Sequence, residues 1–142
     1  MAEKSMRGSW KEDYKGKLVT AEEAAAQIKS GDWIILPPVN SVPIDIMNAV
    51  CARKNELHKV KIASNLMTYP CAFMQGDYVG HITYYSGYFG PLERMFAPQG
   101  NLVPFPMHLS KAEKALDLYN AADVFICEVT TPDDRGYMNY GP

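Results

Sequence analysis

The fold is set by one stretch of the sequence, Trp33-Ile-Ile-Leu-Pro-Pro-Val-Asn-Ser-Val-Pro-Ile-Asp-Ile-Met-Asn-Ala-Val-Cys51. Its first four residues are a short, continuously apolar run, which predicts a strand covered on both faces. The prolines and polar residues of 37–41 then break the strand, and Pro43 suits the first turn of a helix. Apolar residues recur at helical spacing as far as Cys51, so the stretch predicts a strand, a loop and a helix.

The same alternation continues on both sides of this stretch. Thr20 and Glu23 form a predicted capping box for an earlier helix, which is expected to end at Ser30-Gly31. Arg53 and Lys54 follow the central helix, where they are expected to face its negative end. The remaining predicted elements are strands at 60–63, 81–85, 102–105 and 124–129, a helical piece at 92–96 and a helix that starts with a second capping box, Ser110-Lys-Ala-Glu113.

Strands that alternate with helices predict an α/β fold, in which a mostly parallel sheet is flanked by helices. Ligands of such sheets bind beyond the carboxyl ends of the strands. The loops at that edge are predicted to begin at Pro37, Ser64, Ser86, Pro106 and Thr130. These five loops should therefore share one rim, where a binding site is expected.

Composition excludes several classes of function. The 142 residues are enough for one domain with a real core, and the net charge of −2 comes without any block of Lys or Arg. Nucleic acid and anionic membranes are therefore not expected as partners. No segment reaches the roughly 20 apolar residues of a membrane span, and the charged N-terminus is unlike a signal peptide, so a cytoplasmic location is predicted. Three widely spaced cysteines indicate reduced, mostly buried thiols.

Motifs for phosphate or metal binding are missing from the sequence. No loop has the glycine spacing of a dinucleotide or P-loop site, and the three histidines stand apart from one another, so no metal site is predicted. Packing or surface roles are favoured for His58 and His81. His108 is kept as a candidate because it follows the predicted strand at 102–105 on the expected rim.

Glu128 is the most tempting acid. A carboxylate near the end of a buried strand is costly unless it is paired or functional, so it could be a nucleophile or a base. The favoured interpretation is structural, in which Glu128 turns toward solvent or pairs with an arginine, for which Arg94 and Arg135 are both candidates. An aromatic group could likewise line a pocket for an acyl chain, although packing is favoured; its members are Tyr84, Tyr85, Tyr88, Phe89 and Phe96.

The closing segment, 129–142, follows an apolar run into a loop, and we expect it to belong to a larger protein. Its sequence Val129-Thr-Thr-Pro-Asp-Asp-Arg-Gly-Tyr-Met-Asn-Tyr-Gly141 resembles the V-S-P-P-D-x-H-G-Y-F-S-L-G signature of acetyl-CoA hydrolase/transferase proteins, which include butyryl and 4-hydroxybutyrate CoA-transferases. Residues 10–17, 20–32 and 88–106 are also similar to that family, so the likeness covers nearly the whole chain. The chain departs from the signature at Thr131, where proline is usual, and at Arg135, where histidine is common.

The resemblance implies a three-layer fold of the CoA-transferase, sugar-phosphate isomerase-like type, and a reaction that moves CoA between carboxylic acids. In such enzymes a glutamate attacks the acyl-CoA, and a glutamyl-CoA thioester then carries the CoA to the acceptor acid. That glutamate and its oxyanion loop lie in the carboxyl-terminal domain of the family, so no catalytic residue, and not Glu128, is assigned here. Coenzyme A is implied as a substrate, with no bound cofactor.

The family resemblance also implies a division of the chain and a set of partners. Residues 1–19 are expected to form an arm or short helix, and 20–142 the amino-terminal CoA-transferase domain, truncated at its end and silent alone. The implied partners are an acyl-CoA, a short-chain carboxylate, a carboxyl-terminal domain or second chain, and a further copy in a homo-oligomer. The residues expected to contact substrate are Pro38, Asn40, Phe89, Gly90, Pro106, His108, Thr130 and Asp133. Asp133 could equally bond its own loop, and Gly136 and Gly141 are expected to serve backbone conformation.

Two alternative functions remain open from the sequence. A complete sugar-phosphate isomerase would need a phosphate-binding Ser/Thr/Gly loop, which only Thr130-Thr131 approaches, and an acid or base within the chain. A non-catalytic binding or assembly subunit would copurify in fixed proportion with a second polypeptide. A glycine-rich loop and a glutamate-containing strand following Pro142 in the coding sequence would favour the transferase.

Overall fold

A computed structural model describes residues 9–118 and 123–140. Its centre is a sheet with strand order β4-β3-β2-β1-β5, in which every strand pair is parallel. The strands are β1 Trp33–Ile35, β2 Val60–Ser64, β3 Ile82–Ser86, β4 Leu102–Pro104 and β5 Val124–Phe125. The helices are α1 Ser9–Lys17, α2 Ala21–Ala25, α3 Ile44–Ala52, α4 Pro91–Phe96 and α5 Ala112–Leu118. This architecture confirms the α/β fold predicted from the sequence.

Burial alternates along the two central strands. In β2 and β3 the residues on one face are buried, whereas those on the other face are only half-buried. The buried face carries the main apolar core, in which Phe73 packs edge-on against Tyr84 with ring centroids 5.4 Å apart. The prediction that β1 is covered on both faces is therefore wrong, because Trp33 and Ile35 are half-buried and only Ile34 is fully covered.

The capping box of α2 is confirmed, but the helix is shorter than predicted. Thr20 and Glu23 exchange side-chain to backbone hydrogen bonds of 3.1 and 2.8 Å. The helix ends at Ala25, well before Gly31. The Arg53 guanidinium contacts the chain at and beyond this end, donating to the oxygen of Ala25, which also accepts from the N–H of Ile28, and at 3.1 Å to the oxygen of Ile28. Arg53 thus joins two helices rather than serving α3 alone.

The last strand differs most from its prediction. A buried strand at 124–129 is expected from the apolar run, but β5 contains only Val124 and Phe125, and the Phe125 side chain is 59% exposed. The reason is its position at the sheet edge, where it pairs with β1 alone. Beyond Ile126 the backbone leaves the sheet, and the N–H of Glu128 donates to the oxygen of Ser41 at 3.1 Å.

Helix α5 also starts later than predicted. It begins at Ala112, after a 3-10 turn at Leu109–Lys111 that contains Ser110, so the predicted capping box does not define its start. Residues 1–8 of the predicted arm and Gly141 lie outside the described residues. The rest of the predicted arm contains α1. In the parts of the chain that the structure describes, no helix is long and apolar enough to cross a bilayer.

Candidate functional site

The loops after the first four strands meet at one edge of the sheet, as predicted. Ser64 at the end of β2 donates its hydroxyl to the oxygen of Pro37 at 3.0 Å. On its other side, Ser64 accepts at 3.4 Å from the N–H of Gly87, and Phe105 donates its N–H to the oxygen of Ser86 at 2.8 Å. These contacts run across β1, β2, β3 and β4, so they fix the four loops relative to one another.

A mainly apolar cleft of about 310 Å³ opens between these loops. Its lining residues are Pro38, Val39, Asn65, Leu66, Gly87, Tyr88, Met107, Leu109 and Ala112. A smaller cavity of about 70 Å³ adjoins it and shares Asn65, Gly87, Met107 and Ala112. Its remaining walls come from the ends of the strands, through residues such as Ile35, Ala63 and Tyr85. A concave, largely apolar site with few polar groups suits a small organic ligand.

Backbone strain is concentrated at this cleft. Among the described residues, three non-glycine residues have a positive φ, and two of them, Val39 at 63° and Leu66 at 49°, line the cleft. Such a φ is unfavourable for a branched side chain, and it persists only where neighbouring contacts impose it. Val39 is bridged to Met67, and its oxygen accepts at 3.0 Å from the hydroxyl of Thr68. Val39 and Leu66 therefore contribute two apolar residues in left-handed conformation to the cleft wall.

Beside the cleft lies a carboxylate with no solvent exposure, that of Glu93 in the first turn of α4. Its Oε1 accepts from the N–H of Met67 at 2.7 Å and from the hydroxyl of Tyr84 at 3.1 Å. Its Oε2 accepts from the N–H of Gly90 at 3.0 Å. Burial raises the pKa of Tyr84 far above its ordinary value, so the phenol stays protonated and able to donate.

The residues predicted for the first and third loops lie at or next to this cleft. Pro38 lines it directly. Asn40 lies one residue beyond Val39, and its Oδ1 accepts from the Thr68 hydroxyl at 3.0 Å. Phe89 packs against the core, and its oxygen accepts from Nε of Arg94 at 3.1 Å. Gly90 is buried, and a Cβ added there would lie 2.5 Å from Cδ1 of Leu66.

The residues predicted for the fourth loop flank the cleft without lining it. Pro106 and His108 are both exposed, on either side of the lining residue Met107. His108 precedes the 3-10 turn that carries Leu109, whose side chain is 88% exposed at the cleft mouth. The residues of this loop that line the cleft, Met107 and Leu109, are therefore neighbours of the two predicted ones.

The two predicted residues of the closing segment belong to a loop that bonds to itself. Thr130 exchanges backbone and side-chain hydrogen bonds with Asn139, and Val129 forms an antiparallel bridge with Tyr140. Asp133 Oδ1 accepts from the N–H groups of Arg135 at 2.8 Å and Tyr137 at 2.9 Å. The hydrogen bond from Tyr137, followed by that from Arg135, holds the pKa of Asp133 below its usual value. This is the turn-forming role weighed for Asp133.

That loop rests on the N-terminal helix. Gly136 has a φ of 87°, as expected for a glycine serving backbone conformation, and a Cβ there would lie 2.9 Å from the Trp10 ring. The contact joins α1 to the segment at 129–140. Neither Thr130 nor Asp133 is among the residues lining the cleft at the other loops.

Glu128 is exposed and borders a second cleft of about 390 Å³. That cleft is lined by Pro43, Ile44, Asp45, Ile46, Cys127 and Glu128. Within the described ranges no ion pair involves Glu128, so neither Arg94 nor Arg135 is the partner expected for it. In the same ranges, no cluster of three or more His, Cys, Asp or Glu side chains could hold a metal ion.

The aromatic candidates divide between packing and the cleft. Tyr84, Phe89 and Phe96 belong to the core or pack against it, which confirms the favoured packing role. Tyr85 is half-buried against Trp33, with ring centroids 4.9 Å apart, and also borders the smaller cavity. Among these five aromatic residues, only Tyr88 lines the cleft of about 310 Å³, where it is 58% exposed.

Sequence reasoning did not single out Glu93, Leu66 or Met107. A signal for Glu93 was available in Gly90-Pro91-Leu-Glu93, because proline at a helix start with Glu two residues later is typical of a first helical turn whose carboxylate bonds back to the backbone. No comparable signal marks Leu66, since a left-handed leucine has no pattern in the sequence.

Comparison with a family model and with individual proteins identifies one family. The family model for the acetyl-CoA hydrolase/transferase N-terminal domain matches residues 2–142. The butyryl-CoA:acetate CoA-transferase of Anaerostipes caccae is 31% identical over 136 residues, which are 94% of this chain and 30% of that protein. The probable butyrate:acetyl-CoA coenzyme A-transferase of Syntrophomonas wolfei is 33% identical over 132 residues, 92% of this chain and 29% of that protein. The chain thus spans about 30% of the length of the curated relatives it matches.

Solved structures agree with the fold. RipA from Yersinia pestis superposes with a TM-score of 0.79 at 20% identity, over 88% of this chain and 32% of that one. The 4-hydroxybutyrate CoA-transferase from Porphyromonas gingivalis superposes with a TM-score of 0.56 at 18% identity, over 94% of this chain and 30% of that one. At these identities the likeness shows the fold alone.

Proposed function

We propose a CoA-transferase role for this chain, which belongs to the acetyl-CoA hydrolase/transferase family and matches its N-terminal domain. The proposed reaction exchanges CoA between a short-chain acyl-CoA and a carboxylic acid of the butyrate, 4-hydroxybutyrate or acetate class. The chain supplies one wall of the substrate site. A carboxyl-terminal domain or second chain supplies the glutamate that forms the glutamyl-CoA intermediate, so this chain alone is inactive.

The observation that carries the proposal is the apolar cleft at the carboxyl edge of the sheet. An acyl-CoA presents a short hydrocarbon chain next to a thioester, and such a chain is stabilised by leaving water for an apolar surface. Val39 and Leu66 supply such surface in a strained and therefore fixed conformation. The acyl chain of the substrate is proposed to lie between these residues and Leu109.

In this proposal the eight rim residues predicted from the sequence have different roles. Pro38 contacts the acyl chain directly, while Asn40, Phe89 and Gly90 support the cleft wall from adjacent positions. Pro106 and His108 flank Met107 at the mouth, where the pantetheine arm enters. Thr130 and Asp133 shape the closing loop, which faces the rest of the complete enzyme. Coenzyme A is the substrate and no cofactor is required. The cytoplasmic location and homo-oligomeric assembly expected from the sequence are kept as part of the proposal.

The proposed exchange consists of two half-reactions, both at the glutamate that the carboxyl-terminal domain or second chain supplies. Attack of its carboxylate on the acyl-CoA gives an acyl-glutamyl anhydride and releases CoA thiolate, which returns to form glutamyl-CoA and free acid. The acceptor acid then repeats the sequence in reverse and leaves as its CoA ester. This chain's contribution is to bind and orient the acyl group and to keep water from the thioester.

The cleft is tested by a matched pair of exposed leucines in the full-length protein that carries this chain. Leu109→Ser removes an apolar side chain from the cleft mouth, and KM for butyryl-CoA should rise about tenfold, because burying one leucine against a ligand stabilises binding by about 1.5 kcal/mol. Leu18→Ser changes a leucine that is 59% exposed between α1 and α2 and should leave KM unchanged. Equal KM values in both variants would place the acyl chain elsewhere.

A further inference from the structure

We infer that Glu93 is a positioning residue for the substrate cleft, an inference that rests on the proposed CoA-transferase function. Its buried carboxylate accepts hydrogen bonds from the loop after β2, from β3 and from the loop after β3. The two loops carry Leu66 and Tyr88, which line the cleft. Glu93 thereby sets the separation of two cleft walls without contacting the substrate.

The bonds to Glu93 are the strongest described link between these loops. Met67 N–H donates to Oε1 at 2.7 Å, whereas the direct bond from Leu66 N–H to the oxygen of Tyr88 is 3.4 Å long. Bonds to a charged acceptor are shorter and stronger than bonds between neutral groups. Met67 directly follows Leu66, so the Glu93 bond fixes the lining residue through a single peptide unit.

The loop after β3 is held by the other oxygen of the Glu93 carboxylate, Oε2. Gly90 N–H donates to Oε2 at 3.0 Å, and Ser86 donates its hydroxyl to the oxygen of Tyr88 at 2.9 Å. Tyr88 therefore lies between two anchored positions. Because Oε1 and Oε2 belong to one planar carboxylate, the two loops cannot move independently while all three bonds are formed.

A carboxylate is a costly choice for this position. Among the described ion pairs none neutralises Glu93, and an apolar side chain of similar volume would fill the space without desolvating a charge. Its three partners are all donors, and only a carboxylate offers acceptors at both ends. The arrangement is thus better suited to fixing geometry than to adding stability.

Glu93→Gln in the full-length protein tests this role, because one acceptor becomes an NH₂ group that faces a donor. KM for butyryl-CoA should rise about tenfold while kcat changes less than about twofold, since wall spacing affects binding of the acyl chain. Amide hydrogen exchange of Met67 or Gly90 should accelerate by about tenfold or more in the same variant. Glu22→Gln, an exposed carboxylate in the first turn of α2, is the matched control and should change neither quantity.

The two readouts separate the possible failures. Unchanged exchange at Met67 and Gly90, or faster exchange with an unchanged KM, overturns the positioning role. A wild-type protein that transfers no CoA overturns the proposed function, and the exchange measurement then still decides whether Glu93 holds the loops. If Glu93→Gln does not fold, Tyr84→Phe removes one of the three donors and should raise KM about two- to threefold; an unchanged KM there also contradicts the inference.

Discussion

The amide of Met67 donates a 2.7 Å hydrogen bond to the buried carboxylate of Glu93, which lies 26 residues further along the chain. Through this bond the first turn of α4 holds the loop that follows β2. The loop includes Leu66, whose left-handed backbone places its side chain on the cleft wall. A polar contact inside the fold is therefore connected, through one peptide unit, to the surface proposed to bind the acyl group.

Tyr84, one of the three hydrogen-bond donors to Glu93, gives a first prediction. Tyr84→Phe removes the hydroxyl that donates to Glu93 at 3.1 Å, and the free energy of unfolding should fall by about 1 to 2 kcal/mol, because a charged acceptor loses a buried partner. Tyr85→Phe is the control on the neighbouring position, where the side chain is half-buried on the opposite face. Chemical denaturation of both variants measures the difference, and equal losses would contradict the network.

The contact between Gly136 and Trp10 gives a second prediction. Gly136→Ala should destabilise the protein more than Gly80→Ala, although φ is 87° at the first and 86° at the second. Both substitutions impose a left-handed alanine, at about 1 kcal/mol each, but only the Cβ at 136 meets the Trp10 ring. Thermal unfolding compares the pair. A loss at Gly80 as large as that at Gly136 would argue against packing of the closing loop on α1.

The closing loop should also loosen at low pH. The pKa of Asp133 is lowered from 3.8 by the hydrogen bond from Tyr137 N–H and then by that from Arg135 N–H. A carboxyl with a lowered folded pKa stabilises the folded loop above its unfolded pKa and loses this contribution as the pH falls through the folded value. The amide resonances of Arg135 and Tyr137 should therefore shift only below about pH 4. In Asp133→Asn, which keeps an acceptor oxygen but does not titrate, a persisting shift would assign it to another group.

The cysteines should differ in reactivity. Burial raises the pKa of Cys51 to about 11 and that of Cys71 to about 12, so few thiolates form at neutral pH. Cys127 is only half-buried. Iodoacetamide at pH 8 should label Cys127 in the folded protein and the other two only after denaturation, as read by peptide mass spectrometry. Rapid labelling of Cys51 in the native state would show that α3 opens more readily than its packing indicates.

The sequence predicted the sheet well because its strands are short apolar runs separated by clear breaks. It predicted the wrong length for β5, since the apolar run at 124–129 is the same whether the chain stays in the sheet or turns away to bond with Ser41. From the sequence, Arg53 is expected only at the end of α3. Its contacts with Ala25 and Ile28 join residues that are far apart in the chain. Local patterns carry no information on such contacts.

Of the eight predicted site residues, Pro38 alone lines the cleft, and the others lie beside it or in the closing loop. Topology fixes which loops meet at the carboxyl edge, and this much follows from the order of strands and helices in the sequence. Which residue of a loop turns inward depends on backbone conformation, and the left-handed Val39 and Leu66 are neither glycine nor asparagine. Glu93 was missed for a related reason, because two of its three partners, Met67 and Tyr84, lie outside its own turn.

We propose that this chain forms one wall of the substrate site while the attacking group lies elsewhere in the complete enzyme. CoA exchange between butyryl-CoA and labelled acetate measures it most directly, with the isolated chain and the full-length protein assayed side by side. Labelled acetyl-CoA is expected from the full-length protein, and none above background from the isolated chain. Robust exchange by the isolated chain, or none by the full-length protein, would contradict it.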